Sequence, residues 1–124
     1  MLSCYFNLSF TKITVLPKIL RLNSSKIPEL SRFGMKYKCD LFDIRVWYES
    51  KLPNSLFAIS ISTKIDKRAV IRNRIKRKLR AVLQEIGNDS KKIKIGSYLF
   101  IIRNVKLAYM KNEHILYEVL KLIS

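Results

Sequence analysis

The sequence predicts an α+β sandwich in a single domain over residues 19–124, with helices covering one face of a sheet. Three observations carry this reading. Hydrophobic residues alternate with period two over 42–48 and 57–61. They recur at helical spacing over 69–86 and again from Asn112. Between the helical stretches lies a nearly continuous apolar run, SYLFIIR, at 97–103.

Residues 1–18 mix apolar and polar positions without a steady rhythm and end beside Pro17. They read as an N-terminal extension outside the domain, either disordered or added by a start codon assigned too early. They have neither the charged n-region nor the clean apolar core of a secretory signal. A short helix is expected next, capped by Ser24 or Ser25, with Pro28 in its first turn and Gly34 at its end. Phe42, Ile44, Val46 and Tyr48 then alternate with Asp43, Arg45 and Trp47, the pattern of a half-buried strand with the first set facing the helices. Lys51, Pro53, Asn54 and Ser55 read as a loop. Phe57, Ile59 and Ile61, alternating with Ala58, Ser60 and Ser62, supply a second strand, expected to pair antiparallel with the first.

Over 69–86, the side chains of Ile71, Ile75, Leu79, Val82, Leu83 and Ile86 fall within about 120° of arc on a helix. Gly87 and Asn88 are expected to stop it. SYLFIIR suits a more central strand, apolar on both faces. A last helix is expected from Asn112 as its cap through Ile115, Leu116, Val119, Leu120 and Ile123. The order is helix, hairpin, basic helix, strand, helix.

Lys and Arg number 25 against nine acidic residues, a net charge of +16 on 124 residues. Such a chain repels itself and calls for a polyanionic partner. A disordered basic tail is excluded, because 48% of the residues are hydrophobic and Gly and Pro number only three each. No stretch approaches the roughly 18 apolar residues of a membrane span. Cys4 and Cys39 form neither a redox pair nor part of a zinc-ligand cluster, which fits free thiols in a reducing, cytoplasmic setting.

The charge is concentrated between Lys64 and Arg80, where nine of 17 residues are basic and only Asp66 is acidic. On a helix, Asn73, Arg77 and Arg80 centre the face opposite the apolar stripe, flanked by Arg74 and Lys76. Such a face can neutralise phosphates, and its arginines can grip them with paired hydrogen bonds. A solvated helix would usually mix both signs of charge, and a membrane-surface helix would need its apolar stripe free of the core.

The string KIDKRAVIRNRIKRKLRAVLQE resembles the signature of the bacterial ribonuclease P protein family: a lysine-rich loop, then a helix with Arg72, Asn73, Arg74, Ile75, Lys76, Arg77 and Arg80 in register. The likeness runs from about Arg21 to Ile123 and includes Gly34 and the strands FAISIS and YLFIIR. It implies a two-layer α/β sandwich with about four strands, three helices and a left-handed βαβ crossover. It further implies the protein subunit of a ribonucleoprotein that removes 5′ leaders from precursor tRNA. Its partners would be ribonuclease P RNA and precursor tRNA, with no membrane and no small-molecule substrate. The RNA contacts it implies are Arg72, Asn73, Arg74, Lys76, Arg77 and Arg80, and Lys64, Lys67 and Arg68 in the basic stretch before them are expected to bind RNA with them.

The resemblance also implies a groove between the first helix and the sheet that takes the single-stranded leader. Its typically aromatic positions fall on Ile27, Ser31 and Arg45, none of them aromatic here. Trp47, Phe33 and Tyr37 are the aromatic residues at hand to compensate. With Arg45 and Trp47 facing away from the helices, Arg45 can meet phosphate and Trp47 can stack on a base, over a floor of Ala58, Ser60 and Ser62.

No carboxylate cluster suggests a two-metal nuclease centre, and the single His114 has no evident partner. No catalytic or metal-ligating residue is therefore assigned. The chemistry is expected of the RNA, with Mg²⁺ bound mainly by the RNA subunit and substrate. The alternative reading is a ribosomal-type protein that binds structured RNA without a catalytic assembly.

Overall fold

The computed structural model describes residues 20–49, 51–88 and 93–123. The proposed extension over 1–18 lies outside them. A 3₁₀ turn, Ser24–Lys26, leads into helix α1, Ile27–Phe33; strands β1, Met35–Lys38, β2, Phe42–Tyr48, and β3, Leu56–Ser60, follow. Then come the long helix α2, Ala69–Asn88, strand β4, Gly96–Ile102, a second 3₁₀ turn, Val105–Tyr109, and helix α3, Asn112–Ile123. The four strands form one sheet in the order β1-β2-β4-β3.

Topology corrects the expected hairpin. The strand β2 does pair antiparallel, but with β1 on one side and β4 on the other, while β3 lies parallel to β4. Between β2 and β3 the chain therefore passes the place that β4 later fills. Strand β4 is buried on both faces over nearly its whole length, with Tyr98, Phe100 and Ile102 toward α2 and α3 and Leu99 and Ile101 toward α1. That two-sided burial makes it a central strand, since an edge position would leave apolar surface in water. The β3–α2–β4 segment is a βαβ unit joining parallel neighbours.

The main core lies on the α2 side of the sheet. The side chains of Phe42, Ile44, Val46 and Phe57 are fully buried there against Ile75, Leu79, Val82, Leu83 and Ile86 of α2 and Ile115 and Val119 of α3. Phe42 and Phe100 meet edge to face, with ring centroids 5.8 Å apart. The opposite face is not bare, which corrects the expectation that helices cover one side. Leu30 of α1 and Leu22 close on Leu99, with Ile27, Leu56, Ala58 and Ile101 around them. Thus Ala58 makes room for α1, and β3 is not the neighbour of β2 on that face.

The long helix ends at Asn88, as expected, and Gly87 beside it has a second role: a Cβ there would stand 2.8 Å from Leu20 Cδ2 and 3.3 Å from Phe57 Cε2. Its smallness lets the last turn approach residue 20 and β3. Asn112 is the first helical residue of α3, and its buried Oδ1 accepts no hydrogen bond, so it is no cap. Asn23, by contrast, does cap: its side chain accepts from Ser25 N at the first 3₁₀ turn.

Candidate nucleic-acid interface

The loop before α2 is tied by the basic residues themselves. Asp66 Oδ1 accepts from Arg68 N at 2.8 Å and from Arg68 Nε at 3.1 Å, and Oδ2 accepts from Arg68 Nη2 at 2.9 Å. The side-chain bonds from Arg68, then its backbone N–H, hold the pKa of the Asp66 carboxyl down to about 2. One residue pair thus fixes the entry to the helix. Arg72 Nη1 donates to the carbonyl oxygens of Asp66 and Lys67, both at 2.9 Å. Arg72 therefore clasps the loop from one turn inside the helix, a structural task its position in the basic run does not reveal.

Beyond that clasp, the apolar stripe of α2 is committed to the core, so its other side must face outward. Asn73, Arg74 and Arg77 are exposed there, as are Lys64 and Lys67 in the loop. Lys76 and Arg80 are half-buried. Burial, and secondarily the charge of Arg21, lowers the Arg80 pKa. Lys78 reaches across the layer, its Nζ donating to Met110 O at 2.9 Å. The expected residues thus gather on one element in two groups, an outward face of Asn73, Arg74 and Arg77 and a loop organised by Asp66, Arg68 and Arg72.

A second cationic surface lies on the other side of the sheet. The register sets Lys36 of β1 opposite Arg45 of β2, and Lys38 opposite Asp43. Asp43 is almost fully buried, and its Oδ2 accepts from Arg103 Nη1 at 3.0 Å. Arg45 is half-buried, and its Nε and Nη1 are shielded from solvent without any hydrogen-bond partner. Trp47, 45% exposed, borders a pocket of about 140 Å³ that is also lined by Lys26, Glu29, Leu30, Glu49 and Ser97.

Of the remaining groove residues, Ser31 is exposed on α1, whereas Ile27 packs against Leu22, Leu30 and Leu99. Ser60 is exposed at the β3 end, and Ser62 lies beyond the strand. Phe33 is exposed at the end of α1. Tyr37 turns to the α2 side, where its hydroxyl lies 3.1 Å from that of Tyr48, and so does not stand in the groove. Sequence reasoning missed Lys36, because MKYK holds too few apolar residues to declare a strand. Its only signal was the alternation of two lysines about Tyr37. Among the described residues, no three His, Cys, Asp or Glu side chains group closely enough to hold a metal ion, and no helix is long and apolar enough to cross a membrane.

Known proteins resemble this chain in sequence and in fold. A family model described as Ribonuclease P matches residues 16–124. The ribonuclease P protein component of Rickettsia typhi is 35% identical over 108 residues, which span 82% of this chain and 91% of that protein. That of Rippkaea orientalis is 32% identical over 113 residues, 87% of each chain. In fold, the Staphylococcus aureus RNase P protein superposes with a TM-score of 0.66 at 19% identity, covering 83% of this chain and 91% of that one. The Thermotoga maritima RNase P protein does so with a TM-score of 0.67 at 19% identity, covering 83% and 94%.

Proposed function

We propose a division of labour for this chain, which belongs to the ribonuclease P protein family and is a protein subunit of that tRNA-processing ribonucleoprotein: one face holds the RNA subunit, the other the substrate. Asn73, Arg74 and Arg77, with Lys64, Lys67, Arg68, Lys76 and Arg80 around them, bind ribonuclease P RNA. The single-stranded 5′ leader of precursor tRNA lies across the sheet beside α1, over Arg45 and Trp47 and past Ile27 and Ser31. The observation that carries the leader reading is an exposed tryptophan, Trp47, on the face of the sheet where the register sets Lys36 opposite Arg45. Cations on that face can meet a phosphate backbone, and an exposed indole offers a stacking surface indifferent to base identity.

The chain's own acidic and histidine side chains, among the described residues, do not fit a resident metal ion. Mg²⁺ would be held by the RNA subunit and substrate, where it supplies the hydrolytic chemistry. The protein's part is electrostatic and positional: it neutralises phosphates that would otherwise repel one another and fixes the leader's direction. The ribosomal-type alternative gains no specific support from the sheet face, since a protein that only bound structured RNA would have no need of a single-strand groove.

The test uses the assembled ribonucleoprotein. Addition of the chain to a bacterial ribonuclease P RNA is expected to raise precursor tRNA cleavage at limiting Mg²⁺, while the chain alone cleaves nothing. Trp47 is the only tryptophan. Its emission is expected to shift with precursor tRNA and not with mature tRNA. Equal responses to both would place the leader elsewhere.

A further inference from the structure

The second 3₁₀ turn, Val105–Tyr109, is fixed at several points. Asn104 caps it, its side chain accepting from Lys106 N at 2.9 Å. Leu107 and Ala108 are buried in the main core, and Lys78 of α2 donates from Nζ to the carbonyl oxygen of Met110 at 2.9 Å. Between the buried pair and that bond, Tyr109 turns its side chain into solvent, 63% exposed. A phenol ring is thus presented outward from a backbone held on both sides.

Its neighbours are cations. Side chains three residues apart eclipse on a 3₁₀ helix, so the exposed Lys106 shares the face of Tyr109. On α2, Val70, Arg74 and Lys78 follow one another at four-residue spacing and form one flank, and the bond from Lys78 to Met110 sets the turn along it. Val70, 71% exposed, adds apolar surface on that flank. Arg68 stands at the other end. The pKa of its guanidinium is raised first by Asp66 and further by the Tyr109 hydroxyl, which brings the ring beside the basic loop. Asp66, the carboxylate of that loop, is already taken up by Arg68.

An exposed aromatic ring bordered by lysine and arginine has the chemistry of a nucleotide seat, in which the ring stacks on a base and the cations meet the flanking phosphates. The bases of a duplex stack on one another, so the base must be unpaired. The turn packs into the core on the α2 side of the sheet, away from α1. It is continuous with the basic face rather than with the leader's side.

We propose that Tyr109 is a further RNA-binding residue, stacking on an unpaired base of ribonuclease P RNA whose flanking phosphates meet Lys106 and Arg74. This rests on the reading that the basic face of α2 binds that RNA, and extends it from contacts with charge to a contact with one nucleotide. The contacts that the family resemblance implies all lie in α2, and none lies in the 3₁₀ turn.

The experiment measures affinity of the full chain for a bacterial ribonuclease P RNA at several salt concentrations. Tyr109→Ala is expected to weaken binding about fivefold or more, the loss of one stacked base. The salt slope and Tm should not change, since the ring is uncharged and exposed. Tyr109→Phe and Tyr109→Trp keep a stacking face and should bind within about twofold of the unaltered chain. Lys106→Ala should instead lower the salt slope by about 0.7, one single-strand phosphate. A direct reading comes from a chain carrying Trp47→Phe and Tyr109→Trp, whose single indole stands at the turn. Its emission is expected to be quenched by the RNA subunit and to change no further when precursor tRNA is added.

Unchanged affinity for Tyr109→Ala, with weaker binding by Arg74→Ala and Arg77→Ala, would overturn the stacking and leave the basic face standing. Unchanged affinity for all three would overturn both. A loss shared by Tyr109→Phe would assign the contact to the hydroxyl, and emission that answers precursor tRNA alone would give the site to the substrate; either overturns the proposal. If Tyr109→Ala does not fold, the emission decides, because an indole blind to the RNA subunit overturns it as well.

Discussion

Arg72 and Arg77 stand five residues apart in one basic run, yet their surroundings assign them different work. Arg77 is exposed on the outward face, whereas Arg72 bonds two loop carbonyls at 2.9 Å. Arg77→Ala or Arg74→Ala is expected to weaken RNA binding and to lower the salt slope by about 0.9 for each phosphate no longer neutralised, with Tm unchanged. Arg72→Ala should lower Tm by loosening the loop, and weaken RNA binding through Asp66 and Arg68. Titrations at several salt concentrations, alongside thermal melts, separate the two. A lowered salt slope with unchanged Tm for Arg72→Ala would contradict the clasp. Residue types and spacing are legible enough to gather the basic positions. Which of them bond inward is not, because a loop carbonyl leaves no mark on the sequence.

At the scale of elements, the long segments are legible and the short edges are not. All six residues of the apolar stripe assigned to α2 are buried, because one helix packed on a sheet must hide one stripe. Strand β1 escapes notice: its four residues are half-buried at most, so its pairing partner rather than its own hydrophobicity makes it a strand. Proximity in sequence favours a hairpin of β2 with β3, while the competing claim of SYLFIIR to the central place is a property of the whole sheet. Alternation with Ile44 and Val46 correctly turns Arg45 and Trp47 away from α2, but it cannot say that α1 covers their side of the sheet. Gly96 illustrates how tightly this middle is drawn. A Cβ there would stand 2.6 Å from Trp47 O and 2.9 Å from Tyr48 Cα. These are backbone atoms that cannot swing aside. Gly96→Ala is therefore expected to lower stability by about 1–3 kcal/mol and to disturb the strand that presents Trp47. Denaturant melts followed by Trp47 emission would detect both, and an unaltered melt would mean that β2 and β4 can part without cost.

For the molecule as a whole, charge and core oppose each other. The net charge of +16 is spread over a small domain, and repulsion of this kind weakens the compact state. Raising ionic strength from about 0.01 to 0.15 M shortens the screening length from about 30 to 8 Å. Tm is expected to rise over that range without RNA, while affinity for RNA falls. A Tm that is flat or falls with salt would show that the charges on opposite faces scarcely feel one another.

The strand order also imposes a timetable. The central strand β4 is encoded after residue 95, yet β3 finds the strand it pairs with, and β2 its second, only there. A ribosome that has made β1, β2, β3 and all of α2 has made a cationic, amphipathic segment with no complete sheet to rest on. Its apolar stripe must wait in water until Gly96–Ile102 emerges. Closure of the sheet is thus a late, long-range event, of the kind that slows folding and exposes a nascent chain to misassociation. A chain released after residue 95 should remain open to protease and lack cooperative unfolding, whereas one released at 124 should resist and melt cooperatively. Protection of the shorter chain would mean that β1, β2 and α2 can form a stable nucleus of their own.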